Sequence, residues 1–234
     1  MTTSPSANPP LTGPVEDYLK AIYDLERDAQ PAATNDIAER LAISPASVSG
    51  MMRRLAEQGL ITHEPYRGAR LTTDGRRAAL RTLRRHRILE CYLTEVLGYP
   101  WDRVHDEAER LEHAASEELI ERMADALGDP LHDPHGAPIP SREGVVEETT
   151  RRTLADVGAG ENVRVRMVMD DDGERLRYLA ELGIRPGSII RLLDRAPFDG
   201  PITLWVGEGS GGGVTRAVGP ALAAQVFVET LGAE

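Results

Sequence analysis

Cysteine occurs once in this chain of 234 residues, at Cys91. A single thiol excludes an internal disulfide framework and a zinc site built from cysteines alone. No apolar run approaches the ~20 residues that a membrane span needs, so no membrane partner is expected. The opening stretch, MTTSPSANPPLTGP, has neither the basic region nor the apolar core of a secretory leader. A cytoplasmic protein is therefore expected. What is present is ordinary: 41% hydrophobic and 28% charged residues, the composition of a globular chain. At roughly 100–200 residues per domain, the length suggests one large domain or two to three small ones.

Basic charge is scarce except in one block. The net charge is −11, yet residues 45–88 carry ten arginines against Glu57, Glu64 and Asp74, a net of +7. The flanking stretches, 1–44 and 89–234, are net acidic. One basic block in an acidic protein points to a local anionic partner, with nucleic acid foremost. Charge asymmetry alone is also met by a solvated face balanced by its neighbours.

Periodicity divides the chain. Residues 1–12 are rich in Ser, Thr, Asn and Pro and are expected to form a disordered tail. Val15, Tyr18, Leu19, Ile22 and Leu25 predict a helix near 14–27, with Pro14 at its start. Short helices follow at Asp36–Leu41 and from Pro45 to Gly59. The stretches 60–62 and 70–72 flank Tyr66-Arg67-Gly68 and predict a short hairpin, completing a domain over 13–73. A long helix is predicted over 73–97 and another over 102–127, giving a helical domain at 74–141. Residues 142–160 lack periodic apolar residues and suggest a linker. From about 161 to 234, five short strands and little helix suggest a small β-barrel of ~70 residues. The fold class is thus mainly α with a β tail.

Residues 34–55 have the layout of a helix-turn-helix. Small polar residues crowd the start of its second helix, where they suit entry into the major groove. Arg53 and Arg54 lie a turn later, within reach of phosphate. The hairpin with Tyr66, Arg67 and Arg70 has the place of a wing. Candidate contacts to double-stranded DNA are Thr34, Ser44, Ala46, Ser47, Ser49, Gly50, Arg53, Arg54, Arg67 and Arg70. A helix pair used only for packing is the alternative.

A second constellation is acidic and imidazole-rich. On one helix, His105, Glu109, Glu112 and His113 span an arc of about 100°, with Glu109, Glu112 and His113 spaced i, i+3, i+4. His86 and Glu90 form an i, i+4 pair on the preceding helix, and Asp133 and His135 sit in the turn-rich segment after it. Carboxylates with imidazoles suit Mn²⁺, Fe²⁺ or Zn²⁺, and a carboxylate-dominated set leans to Mn²⁺. A metal-dependent hydrolase is a rival reading, although no GxSxG-type nucleophile motif occurs.

The blocks EDYLKAIYDLE, RRHRILE, VHDEAERLEH and DPHGAPIP, with the helix-turn-helix between the first two, resemble the diphtheria toxin repressor family over residues 14–141. The tail resembles that family's FeoA-type C-terminal domain. The resemblance implies a metal-dependent homodimer that binds palindromic operators and represses metal-homeostasis genes. It places a regulatory metal at Asp17, Glu109, Glu112 and His113. It places a second metal at His86, Glu90 and His105, with Asp133 and His135 and with Asp172 from the tail. The iron branch typically has Met where this chain has Asp17 and Cys where it has Glu109; the manganese branch has Asp and Glu. Mn²⁺ is therefore the expected cofactor, with Fe²⁺ as the alternative. Arg175 stands where the family has a Gln ligand, so the second ligand set must differ. Gly50 stands where iron-type members have a polar base-contacting residue. The FeoA-like tail alone would suit a metal-transport accessory protein, which has no use for a helix-turn-helix.

Overall fold

A computed structural model describes residues 11–26, 30–64, 67–147, 150–169, 172–207 and 212–231. Residues 1–10 of the expected tail at 1–12, and Tyr66 of the expected wing, lie outside the described residues. The chain divides into two compact units, residues 1–84 with 142–144, and residues 85–141 with 145–234.

In the first unit, α1 (Gly13–Leu25), α2 (Thr34–Arg40) and α3 (Pro45–Glu57) precede a hairpin of β1 (Ile61–Glu64) and β2 (Gly68–Leu71). Pro14 sits in the first turn of α1, where its missing N–H costs no helical hydrogen bond. Ser44 caps α3, its Oγ accepting from Ser47 N at 3.3 Å. Val48, Met52 and Leu55, spaced i, i+4, i+7, are fully buried against Leu19, Ile22 and Ile37. Each such side chain contributes about 1.5–3 kcal/mol by leaving water. The turn between α2 and α3 is tight enough to hold Ala42 at φ 53°. Leu11, expected in the tail, is half-buried against this core.

The second unit contains the C-terminal half of α4 (Thr73–Glu95, entering at Arg85), then α5 (Val104–Leu111) and α6 (Glu117–Ala126). The single helix expected over 102–127 is thus two. Ser116 caps α6 by accepting from Leu119 N at 3.2 Å, and Glu117 and Glu118 occupy its first turn, where carboxylates favour a helix start. That cap interrupts the ladder at 112–116. Ile88, Leu89, Val104, Ala108, Ile120 and Ala124 join α4, α5 and α6 in one core.

The tail is a five-stranded antiparallel sheet, order β6-β5-β4-β3-β7, formed by β3 (Asn162–Val168), β4 (Ile189–Arg195), β5 (Ile202–Gly207), β6 (Gly213–Val218) and β7 (Val226–Thr230). It is open, which corrects the expected closed barrel. Alternation along β3 buries Val163, Val165 and Met167 and exposes Asn162 and Arg164, and this much the pattern predicts. Closure is a separate matter: it requires the edge strands to pair, and β6 and β7 are not neighbours. Two helices, α7 (Gly173–Glu181) and α8 (Pro220–Ala223), cover one face with Leu176, Leu179 and Ala223. The stretch expected as a linker also belongs here. Leu154 and Val157, around a short 3₁₀ turn (Leu154–Asp156), are buried in the sheet's core, and Thr153 bridges to Phe227.

Within this second unit the sheet rests on the helical part through the loop at 132–138. Val168 N donates to His135 O at 3.0 Å. A Cβ on Gly136 would lie 2.0 Å from Arg166 O, so this close backbone approach admits only glycine.

Candidate functional site

The i, i+4 pair on α4 points inward: His86 is 4% exposed and Glu90 fully buried. From α5 come His105 and Glu109, one turn apart. Glu112 is the residue that ends α5, and His113 follows it. Glu112 is fully buried and its Oε2 lies 2.6 Å from His86 Nδ1. On the other side of the same ring, Nε2 lies 3.0 Å from Glu90 Oε1 and 3.2 Å from His105 Nδ1. Glu109 Oε1 stands 3.8 Å from both His86 Nδ1 and His105 Nε2. His113 Nε2 lies 3.5 Å from Glu112 Oε1. Two imidazoles and three carboxylates thus converge, with His113 at the margin.

The DPHG loop adds to this cluster. His135 is fully buried and its Nδ1 lies 3.8 Å from Glu90 Oε1. Asp133 is also buried; its Oδ1 accepts from His135 N and Ala137 N, both at 2.9 Å, which shapes the loop. Its Oδ2 faces Arg87 Nε at 3.4 Å, and Arg87 also donates to Pro138 O. Donor atoms of Glu90, Asp133 and His135 lie within 4.8 Å of one another, as do those of His86, His105 and Glu109.

The electrostatics suit a cation. Burial pushes the Glu90 carboxyl upward, but the charge on His86 and hydrogen bonds from His105 and His86 hold it well below its ordinary value. Glu90 is therefore an ionised carboxylate in the protein interior, and among the described residues its Oε2 has no hydrogen-bond partner. A buried, charged oxygen lacking a donor is a position that a bound cation satisfies. The donor set fits a divalent ion. Cys91 does not contribute: its thiol is buried, faces His132 O at 3.5 Å, and burial drives its pKa well up.

One expected ligand is engaged elsewhere. Asp172 Oδ1 accepts from Glu174 N and Arg175 N, capping α7, and its Oδ2 pairs with Arg175 Nε at 2.9 Å. The structure does not bring it to the imidazoles. Asp17 lies on α1 of the first unit, half-buried. Arg87 and Trp101 were not singled out by sequence reasoning. Their main partners are backbone carbonyls more than thirty residues away, and no spacing rule marks such contacts.

The expected DNA face is displayed on the first unit. Ser44, Ala46, Ser47, Ser49, Gly50, Arg53 and Arg54 are exposed along α3, as are Arg67 and Arg70 at the hairpin; Thr34 is half-buried at the start of α2. Ser47 Oγ is turned to Ser44 Oγ at 2.9 Å, and Ser49 Oγ donates to Pro45 O at 3.0 Å. Nothing lies within 4 Å of where a Cβ on Gly50 would be. Gly50→Ala is therefore expected to stabilise the first unit by about 0.5–1 kcal/mol, the helix-interior cost of glycine. Thermal unfolding measures this; a destabilised variant would mean that the site is not open.

Residues 72–141 match the family described as "Iron dependent repressor, metal binding and dimerisation domain". Residues 10–69 match "Iron dependent repressor, N-terminal DNA binding domain", and 152–230 match "FeoA domain". The diphtheria toxin repressor of Corynebacterium efficiens is 34% identical over 194 residues, covering 79% of this chain and 84% of its own. The chain belongs to the diphtheria toxin repressor family. As a member of it, the protein is a metal-dependent, DNA-binding transcriptional repressor and not an enzyme. The hydrolase and transport-accessory readings fall with that. The iron-dependent repressor IdeR of Mycobacterium leprae is 39% identical over 150 residues, 64% of this chain and 60% of its own. A solved "Manganese-dependent transcriptional repressor complex with manganese" is 42% identical, with a TM-score of 0.86 over 93% of this chain and all of that one. Iron and manganese are therefore both named among family members similar to this chain. Among the described residues no helix is long and apolar enough to cross a membrane.

Proposed function

We propose that this repressor responds to Mn²⁺ and binds a palindromic operator as a homodimer, controlling genes of metal homeostasis. The observation that carries the reading is the donor set. Glu109, standing where the iron branch has cysteine, presents a carboxylate to His86 and His105, and the one thiol is engaged elsewhere. Hard oxygen donors with few imidazoles suit Mn²⁺. The similarity to a solved manganese-dependent repressor supports the same choice.

In this reading Asp17, Glu109, Glu112 and His113 hold the regulatory ion, and His86, Glu90, His105 and His135, with Asp133 beside them, hold a second. A bound ion supplies the positive charge that lets these carboxylates share a site. Asp17 comes from α1 and its partners from the end of α5, so the regulatory ligand set ties segments more than ninety residues apart. Without that tie, the three carboxylates repel one another and the reading heads sample many spacings. With it, the population shifts to the spacing that an operator demands, and operator must tighten metal binding by the factor that metal tightens operator binding. Ser44, Ala46, Ser47, Ser49 and Gly50 face the bases, with Thr34 nearby. Arg53, Arg54, Arg67 and Arg70 face the phosphates.

The test is a change of ligands. Asp17→Met combined with Glu109→Cys is expected to move the ranking of activating metals away from Mn²⁺ toward Fe²⁺, Co²⁺ and Ni²⁺, read as operator binding at buffered free metal. An unchanged ranking overturns the assignment. A wild type activated by Fe²⁺ at lower free concentration than by Mn²⁺ favours the iron reading instead.

A further inference from the structure

The loop that carries His135 is held on both sides by one residue. The Trp101 indole Nε1 donates to Pro134 O at 2.9 Å, and Trp101 O lies 2.9 Å from His135 Nε2. A carbonyl oxygen only accepts, so the proton of that contact is on Nε2. Nδ1 is then the nitrogen turned to Glu90 Oε1, at 3.8 Å, and the one available to an ion.

Trp101 is itself held by the sheet domain. Its ring packs against that domain's core, beneath the Arg185 guanidinium at 4.7 Å from the ring centroid. The next residue, Asp102, is paired by Arg177 of α7 at 2.9 Å, and its carbonyl abuts Gly173, whose Cβ would lie 2.5 Å away. Meanwhile Asp172, the acidic residue at the head of α7, is engaged in capping that helix.

We propose that Trp101 is a positioning residue through which the C-terminal domain sets the second metal site: it fixes His135 with Nδ1 toward Glu90, and the domain contributes no ligand of its own. This rests on the reading of His86, Glu90, His105 and His135 as a second Mn²⁺ site. The domain then governs that site through hydrogen bonds to its ligand, the kind of outer contact whose loss weakens metal affinity by about 10–100-fold.

The experiment uses the full chain and Mn²⁺ alone. Mn²⁺ is titrated calorimetrically, with free ion followed by electron paramagnetic resonance, for the wild type and for Trp101→Phe, Arg185→Ala, Asp172→Asn and His135→Ala. The wild type should take up two ions. Trp101→Phe keeps an aromatic ring but loses the indole N–H, and should weaken the second ion at least tenfold while leaving the first unchanged. Arg185→Ala should weaken the same ion less, and Asp172→Asn, which still caps α7, should not. A loss in Asp172→Asn equal to that in His135→Ala means that the domain does supply a ligand, and overturns the proposal. Nitrogen-15 spectra of the metal-free histidines, with His135 assigned by its absence in His135→Ala, provide a readout independent of metal. They should show His135 protonated at Nε2 in the wild type; Trp101→Phe keeps the backbone carbonyl but releases Pro134, and the mixed tautomer expected there reports a loop moved away from that carbonyl. A proton on Nδ1 alone in the wild type overturns the proposal whatever the ion count. A wild type that takes up one ion, unaffected by His135→Ala, overturns the two-site reading instead.

Discussion

Glu112→Gln is expected to remove the response of DNA binding to Mn²⁺. Glu112 is fully buried, with Oε2 2.6 Å from His86 Nδ1 and Oε1 3.5 Å from His113 Nε2. It thus touches a residue assigned to each of the two ions. Glutamine keeps the shape and removes the charge, turning a charge-assisted contact into a neutral one and withdrawing a hard anionic donor. Mn²⁺-stimulated operator affinity should fall at least 100-fold, about 2.7 kcal/mol. Fluorescence anisotropy with and without metal measures it, beside circular dichroism and light scattering, which should be unchanged. A variant that still gains operator affinity on Mn²⁺ addition would place the regulatory ion away from the end of α5.

Gly136→Ala is expected to separate the sheet domain from the helices of the second unit. Gly136 has φ +88°, and a Cβ there would sit 2.0 Å from Arg166 O and 2.9 Å from Arg166 C. Both partners are backbone, so no rotamer change relieves the clash. Left-handed strain of about 1–2 kcal/mol adds to an overpacking cost of about 1–3 kcal/mol. The hydrogen bond from Val168 N to His135 O is the contact most directly opened. A thermal scan should show a loss on the order of 3 kcal/mol, and proteolysis should cut near 142–160 faster than in the wild type. A variant as stable and as protease-resistant as the wild type would mean that the loop yields without cost.

How much of this was legible in the sequence depends on how local each cause is. The strands of the tail could be read because alternation in segments such as Val163–Val168 is a two-residue rule. That the sheet stays open could not, because pairing of β6 with β7 is decided by twist and by the helices laid across one face. The break between α5 and α6 was written in Ser116-Glu117-Glu118, a good helix start, but the apolar rhythm continued through it and concealed the cap. Leu154 and Val157 are too few to set up a period, so a core segment read as a linker. In the site, His86 with Glu90 and His105 with Glu109 stood out as i, i+4 pairs. Asp133 and His135 stood out as metal-type residues in a turn-rich segment, but only the family resemblance tied them to the second site. Asp172 caps α7 in the structure, and a carboxylate just before a helix has two uses, capping and ligation, which sequence does not distinguish. The supporting residues, Arg87 and Trp101, act on distant carbonyls and left no pattern.

The early end of α5 bears on the metal in another way. An α-helix carries roughly half a negative charge at its C-terminal end, concentrated within the last turn. Because α5 stops at Leu111, that pole falls at Glu112 and His113, among the groups assigned to the ions. A continuous helix to Ala126 would have carried it more than a dozen residues onward. The fold therefore adds a fixed backbone field to the side-chain charges. That field is neither titrated by pH nor altered by substituting a ligand, and it favours a cation over a neutral guest before any one carboxylate has closed on it.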